Sequence, residues 1–229
     1  MTKQQALERI LDVGIVPVVR VSSPKLAMLA AEAICNAGIP IVEITMTTPG
    51  ALDVIGELTR SIGSENLIGA GTVLDAEMAQ SCLDAGAEFI VGPAFDRQTV
   101  NLVNREGKLM MAGALTPTEL VRAWNAGSAL VKVFPCSSLG GPSYIRALKA
   151  PLPHIALIPT GGVTLQNAAD FIRAGASAIG IGSELVSNTA VESGNGSAIT
   201  AAARAYLAVV REARPPESIG APRSRERGY

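Results

Sequence analysis

Ala126-Gly127-Ser128-Ala129-Leu130-Val131-Lys132-Val133-Phe134-Pro135 contains both the unit from which the fold is built and the most unusual residue of the chain. An Ala-Gly pair fits the end of a helix, because glycine accepts the left-handed conformation that closes a helix C-terminus. The short aliphatic run that follows reads as a buried strand, and a proline ends it. The same phrase recurs at Ala37-Gly38 before 41–45, at Ala85-Gly86 before 88–91 and at Ala174-Gly175 before 178–181. Between its copies lie further strand candidates at 15–19, 67–70, 109–112 and 155–159, which makes eight. Eight short strands alternating with helical segments predict an α/β protein. A closed parallel (β/α)8 TIM barrel is favoured by the repetition to eight, with a doubly wound open sheet as the alternative.

Composition agrees with one domain of this kind. The chain has 229 residues, of which 48% are hydrophobic and only 3% aromatic, so the core is aliphatic, as in a parallel sheet covered by helices. The barrel is expected to occupy residues 1–213. The segment 214–229, with Pro215-Pro216 and then Arg223-Ser-Arg-Glu-Arg-Gly-Tyr229, lacks periodicity and is expected to form a loosely attached tail. A net charge of -1 gives no basic footprint for nucleic acid and no charged run for a membrane surface, which leaves small molecules as the default partner. Cys35, Cys82 and Cys136 are odd in number and outside any CxxC, so reduced thiols in the cytoplasm are expected. No apolar run approaches the roughly 18 residues of a spanning helix, and the polar N-terminus does not read as a secretory signal.

Against that background Lys132 requires an explanation. It shares its strand face with Leu130 and Phe134, where hydrocarbon disfavours the ammonium and leaves a nucleophilic amine. Glu43 is the second charge inside an apolar strand, on one face with Ile41 and Thr45. In a barrel the second and sixth strands share one interior, so Glu43 and Lys132 can form either a structural ion pair or a functional acid/base pair. Arg20 closes the first strand, where it could clamp a substrate carboxylate.

Two glycine-bearing turns follow the seventh and eighth strands: Thr160-Gly161-Gly162-Val163, with Thr164 as a helix N-cap, and Gly180-Ile181-Gly182-Ser183. Glycine lets backbone N–H groups approach an anion, and these two loops are where barrels frequently bind phosphate, so a terminal phosphate on the substrate is expected. Gly69-Ala70-Gly71-Thr72 lacks the third glycine and the acidic residue of a dinucleotide fingerprint; Gly71 would instead let substrate pass near the backbone, and Thr72 offers a hydroxyl at a strand end. Pro93 and Phe95 could form an apolar wall. His154 is the only histidine and falls before the seventh strand, away from the active face, so no metal site is expected; Cys136 reads as a loop-lining thiol.

These motifs together resemble the class I aldolases that act on 2-keto-3-deoxy-6-phosphogluconate (KDPG) and 4-hydroxy-2-oxoglutarate (KHG). The resemblance runs through Ile15-Val-Pro-Val-Val-Arg20, Val42-Glu-Ile-Thr-Met-Thr47, Ile68-Gly-Ala-Gly-Thr72, Ala87-Glu-Phe-Ile-Val-Gly-Pro93, Leu115-Thr-Pro-Thr-Glu-Leu120, Val131-Lys-Val-Phe-Pro135, Pro159-Thr-Gly-Gly-Val163 and Gly180-Ile-Gly-Ser183. It implies a metal-free homotrimeric barrel without a separate cofactor, with Lys132 as the Schiff-base residue and Glu43 as the proton shuttle. It further implies that Arg20, Thr72, Pro93 and Phe134 surround the pyruvyl part of a 2-keto acid, and that Thr160, Gly161, Gly162 and Ser183, with Gly182 beside them, hold the distal phosphate. Some members carry arginine where this chain has Thr47, which leaves gluconate and galactonate configurations both open. A different phosphate-binding barrel, such as a thiamine-phosphate synthase, would share the glycines but would not need Lys132.

Overall fold

The computed structural model describes residues 1–62 and 65–214. Eight strands, β1 (Ile15–Val19), β2 (Ile41–Thr45), β3 (Leu67–Gly71), β4 (Phe89–Val91), β5 (Leu109–Ala114), β6 (Leu130–Val133), β7 (Leu157–Pro159) and β8 (Ile179–Ile181), form one sheet in the order β7-β6-β5-β4-β3-β2-β1-β8. All neighbours are parallel, and a parallel bridge between Thr160 and Gly180 joins the two ends into a barrel. The expected strands are present, with shifts of one or two residues at some ends. The open-sheet alternative is excluded by that closing bridge.

The Ala-Gly phrase works as its chemistry dictates. Ala37, Ala85, Ala126 and Ala174 end α2 (Pro24–Asn36), α4 (Ala76–Asp84), α6 (Pro117–Asn125) and α8 (Ala168–Arg173) in right-handed conformation. The glycine after each has φ between 96° and 107°, which turns the chain back towards the next strand. Helix starts are equally marked: Ser23, Asp75 and Thr116 accept hydrogen bonds from N–H groups of the first turn of α2, α4 and α6. The remaining helices are α1 (Lys3–Val13), α3 (Ala51–Ser61), α5 (Arg97–Arg105), α7 (Pro142–Lys149), α9 (Asn188–Glu192) and α10 (Gly196–Ala213).

Strand register decides which side chains meet inside. Val18, Glu43, Gly69, Phe89 and Leu109 are successive partners around the barrel, as are Thr45, Gly71, Val91, Met111 and Leu130 one layer higher. Gly113, Lys132 and Ile158 follow in the next layer. Phe89 fills the lower interior and needs Gly69 beside it, since a Cβ there would lie 2.3 Å from its ring. Ser128, buried, accepts the Ala112 N–H at 2.8 Å and lies 2.6 Å from the Leu130 carbonyl, fixing β5 against the start of β6. Arg214, expected to begin the loose tail, is instead fastened to the carbonyls of Leu11 and Asp12 at the end of α1. The rest of the expected tail, 215–229, lies outside the described residues. Among the described residues no helix is long and apolar enough to cross a membrane.

Candidate active site

Lys132 on β6 and Glu43 on β2 are both buried, 5% and 2% exposed, and both face the barrel interior. They form no direct ion pair, so a structural salt bridge does not account for either. Oε1 of Glu43 is buried without a hydrogen-bond partner. Leaving such an oxygen unsatisfied costs about 1–3 kcal/mol or more, a cost that folding alone gives no reason to retain. Burial raises the Glu43 pKa, opposed by the positive charges of Lys132 and then Arg20, so all three belong to one electrostatic site.

The space for the carboxylate comes from Gly71 on the neighbouring strand, where an added Cβ would lie 2.1 Å from Oε1. The expectation that Gly71 clears a path for substrate is corrected: the clearance is occupied by Glu43. Gly113, the register partner of Lys132, performs a similar service on the other side, because a Cβ there would lie 2.1 Å from the carbonyl group of Pro93. Phe134 continues β6, and Lys132 Nζ sits 5.2 Å from the centre of its ring. Pro93, Phe95, Gly113, Arg122 and Phe134 are among the walls of a cavity of about 400 Å³ at the C-terminal ends of β4 to β6. Arg20 stands exposed just past β1, and Thr72 is half-buried just past β3.

The two glycine turns lie side by side across the closing seam. Thr160 packs against Gly180, where a Cβ would meet its hydroxyl at 2.3 Å. Gly161 and Gly162 both have positive φ, 87° and 77°, and open space surrounds the position of a Cβ on Gly182. Among the described residues, the N–H groups of Gly162 and Ser183 have no acceptor. The helix expected to be capped by Thr164 is capped instead by Asn167 and begins at Ala168. Asn167 is the reason: its side chain accepts the Thr164 N–H at 2.8 Å and donates to the Gly162 carbonyl at 2.9 Å, holding the turn as a loop. An anion here would be met by loop N–H groups and hydroxyls, with no helix end directly beneath it.

The described geometry is that of a barrel with an amine and a carboxylate buried in its interior, and residues 7–202 match the sequence profile described as "KDPG and KHG aldolase". The chain belongs to the KDPG and KHG aldolase family. It is 34% identical over 206 residues to the 2-dehydro-3-deoxy-phosphogluconate aldolase of Treponema pallidum, covering 90% of this chain and 96% of that protein. It is 36% identical over 172 residues to the 2-dehydro-3-deoxy-6-phosphogalactonate aldolase of Escherichia coli, covering 75% and 83%. A solved KDPG aldolase from Legionella pneumophila, with pyruvate captured as a covalent carbinolamine intermediate, superposes with a TM-score of 0.81 at 27% identity, over 88% of this chain and 97% of that one. The chain is therefore an aldolase of the KDPG/KHG type, a carbon–carbon lyase, and not the thiamine-phosphate synthase-like barrel.

His154 is exposed and meets Trp124 edge-on at 6.3 Å. The Cys136 thiol is buried 3.7 Å from the Gly141 carbonyl, and burial pushes its pKa up to about 11, so it is no thiolate nucleophile near neutrality. A larger cavity, about 870 Å³, opens at the opposite end of the aldolase barrel among Arg9, Asp12, Glu32 and Glu65, away from the strand ends that carry chemistry. Sequence reasoning missed Asn167, and also the hydroxyl cluster in which Thr45 Oγ1 lies 3.1 Å from that of Thr47 and 3.2 Å from that of Thr48.

Proposed function

We propose that this chain is a Schiff-base aldolase cleaving 2-keto-3-deoxy-6-phosphogluconate to pyruvate and glyceraldehyde 3-phosphate, with 4-hydroxy-2-oxoglutarate, giving pyruvate and glyoxylate, as a second substrate. The observation that carries the reading is the buried Lys132 and Glu43 in one interior without a direct ion pair, Glu43 keeping an unpartnered oxygen.

In this reading Nζ of Lys132 attacks the C2 carbonyl, and the carbonyl π pair moves to oxygen to give a carbinolamine. Glu43 delivers the proton with which that oxygen leaves as water, forming an iminium. The Glu43 carboxylate, through a water, then takes the proton of the 4-hydroxyl. The C3–C4 bond breaks towards C3, its pair delocalises into the iminium as an enamine, and the aldehyde departs. Protonation at C3 and addition of water release pyruvate and restore the free amine. The sequence is redox-neutral, and the lysine is its electron sink, so it requires no metal.

Arg20 binds the C1 carboxylate in this scheme, and Thr72, Pro93 and Phe134 enclose the pyruvyl carbons. Thr160, Gly161, Gly162, Gly182 and Ser183 receive the phosphate. The galactonate epimer is the second reading, favoured by the 36% identity to a phosphogalactonate aldolase. The family resemblance supports a homotrimer, for which native mass spectrometry is the check, and the three unpaired cysteines support a cytoplasmic location.

A lactate-dehydrogenase-coupled assay of pyruvate release, on both phosphorylated epimers and 4-hydroxy-2-oxoglutarate with EDTA present, tests the proposal. Release undiminished by EDTA supports it, and the kcat/KM ratios name the substrate. Silence on all three from folded protein would reject it.

A further inference from the structure

The loop after β6 and the glycine turn after β7 are stitched together beyond the ends of their strands. The Cys136 N–H donates to the Thr160 carbonyl at 3.0 Å, and the Ser137 N–H donates to the Gly161 carbonyl at 3.2 Å. This pairing lays the single turn of 3-10 helix at Cys136–Leu139 along Gly161 and Gly162. Ser137 stands so close to Gly162 that a Cβ there would lie 2.3 Å from Ser137 Cβ and 2.5 Å from its Oγ. The side chain of Ser137 therefore fills the space that a side chain at position 162 would take.

Ser137 is exposed, and its hydroxyl has no hydrogen-bond partner among the described residues. Beside it is Gly162, whose N–H has no acceptor among the described residues, and the N–H of Ser183, in the neighbouring turn after β8, has none either. Asn167 holds the Gly162 carbonyl at 2.9 Å, which fixes the orientation of the turn. A hydroxyl donor thus stands against a turn that carries a free backbone N–H and is already held in place. A group with several acceptor oxygens satisfies such an arrangement, and donors aimed at an ionised acceptor form its stronger hydrogen bonds.

We propose that the Ser137 hydroxyl is a direct ligand of the substrate's terminal phosphate and sets the preference for phosphorylated over unphosphorylated 2-keto acids. The proposal rests on the aldolase reading above. Ser137 acts in binding, far along the substrate from the bond that breaks, so its loss falls on KM and leaves kcat nearly intact.

The experiment compares 2-keto-3-deoxy-6-phosphogluconate with its dephosphorylated counterpart, 2-keto-3-deoxygluconate, for the parent protein and for Ser137→Ala, Ser137→Thr, Ser137→Asp and Ser138→Ala. Ser137→Ala is expected to raise KM for the phosphorylated substrate about tenfold, the loss of about 1.4 kcal/mol of binding. It is expected to leave the dephosphorylated substrate unchanged. Ser137→Thr keeps the hydroxyl and restores the preference, Ser138→Ala matches the parent, and Ser137→Asp, by repelling the phosphate, lowers the preference about a hundredfold. An unchanged preference in both the alanine and aspartate variants would overturn the assignment while leaving the aldolase reading intact. Equal losses on both substrates would make Ser137 a packing residue and also overturn it. A parent protein silent on both substrates would reject the aldolase reading and Ser137 with it.

Discussion

The carboxylate of Glu43 occupies the volume that a side chain on Gly71 would need: a Cβ at 71 would lie 2.1 Å from Oε1 and 2.8 Å from the carboxyl carbon. The two residues sit on adjacent strands, β2 and β3, with Thr45 as the register partner of Gly71. The position of the Glu43 carboxylate is thus set by an absence on the next strand.

Gly71→Ala is expected to displace Glu43 and lower kcat about a hundredfold, since misplacing a catalytic group by about 1 Å costs that much. Pyruvate-release kinetics together with circular dichroism check this. Full turnover in the folded variant would mean that the carboxylate position is not critical.

Glu43→Gln keeps the shape and removes the titrating group. Turnover is expected to fall by about 10²–10⁴-fold with KM little changed. Because burial raises the Glu43 pKa, the acid limb of the parent kcat/KM profile should lie above the ordinary carboxylate value of 4.5. A Glu43→Gln variant that retains near-normal turnover and the same acid limb would remove Glu43 from the mechanism.

The same substitution has a signature in stability. With its folded-state pKa raised by burial, native Glu43 holds its proton to a higher pH than the unfolded chain does. Its burial therefore adds no electrostatic penalty below the ordinary value of 4.5, and the penalty grows as pH rises through the folded-state value. Glu43→Gln is expected to raise Tm at neutral pH, with the advantage shrinking as pH falls towards 4.5. Thermal melts across that window would contradict this if the two proteins ran in parallel.

Gly162 has φ of 77° and Ser137 against its missing side chain, so Gly162→Ala strains the backbone and pushes the loops apart. KM for the phosphorylated substrate is expected to rise at least about tenfold, and that for 4-hydroxy-2-oxoglutarate far less. Steady-state kinetics on both substrates decide this, and equal losses would point to misfolding.

Much of the fold is legible because parallel strands buried on both faces are written as short aliphatic runs, and because Ala-Gly repeats mark where helices end. Lys132 and Glu43 stand out for the same reason: each is a charge where every neighbour is hydrocarbon. What the sequence conceals are relationships across strands. Gly71 reads as clearance for substrate until β2 is laid beside β3 and its vacancy is seen to hold Glu43. Gly113 carries no signal at all until the Pro93 backbone crosses it. Thr164 is a plausible helix cap by residue type, but Asn167 captures its N–H and delays the helix by three residues, a local competition that propensity does not resolve. Ser137 and Gly162 are 25 positions apart and meet only because β6 and β7 pair beyond their ends.

The central claim is that the Lys132 amine forms the covalent bond to the keto acid. Reduction with borohydride in the presence of pyruvate, followed by peptide mass spectrometry, tests it most directly. One reduced pyruvyl adduct is expected on Lys132, dependent on pyruvate, and none on a folded Lys132→Ala variant. An unlabelled parent protein, or a labelled Lys132→Ala variant, would contradict it.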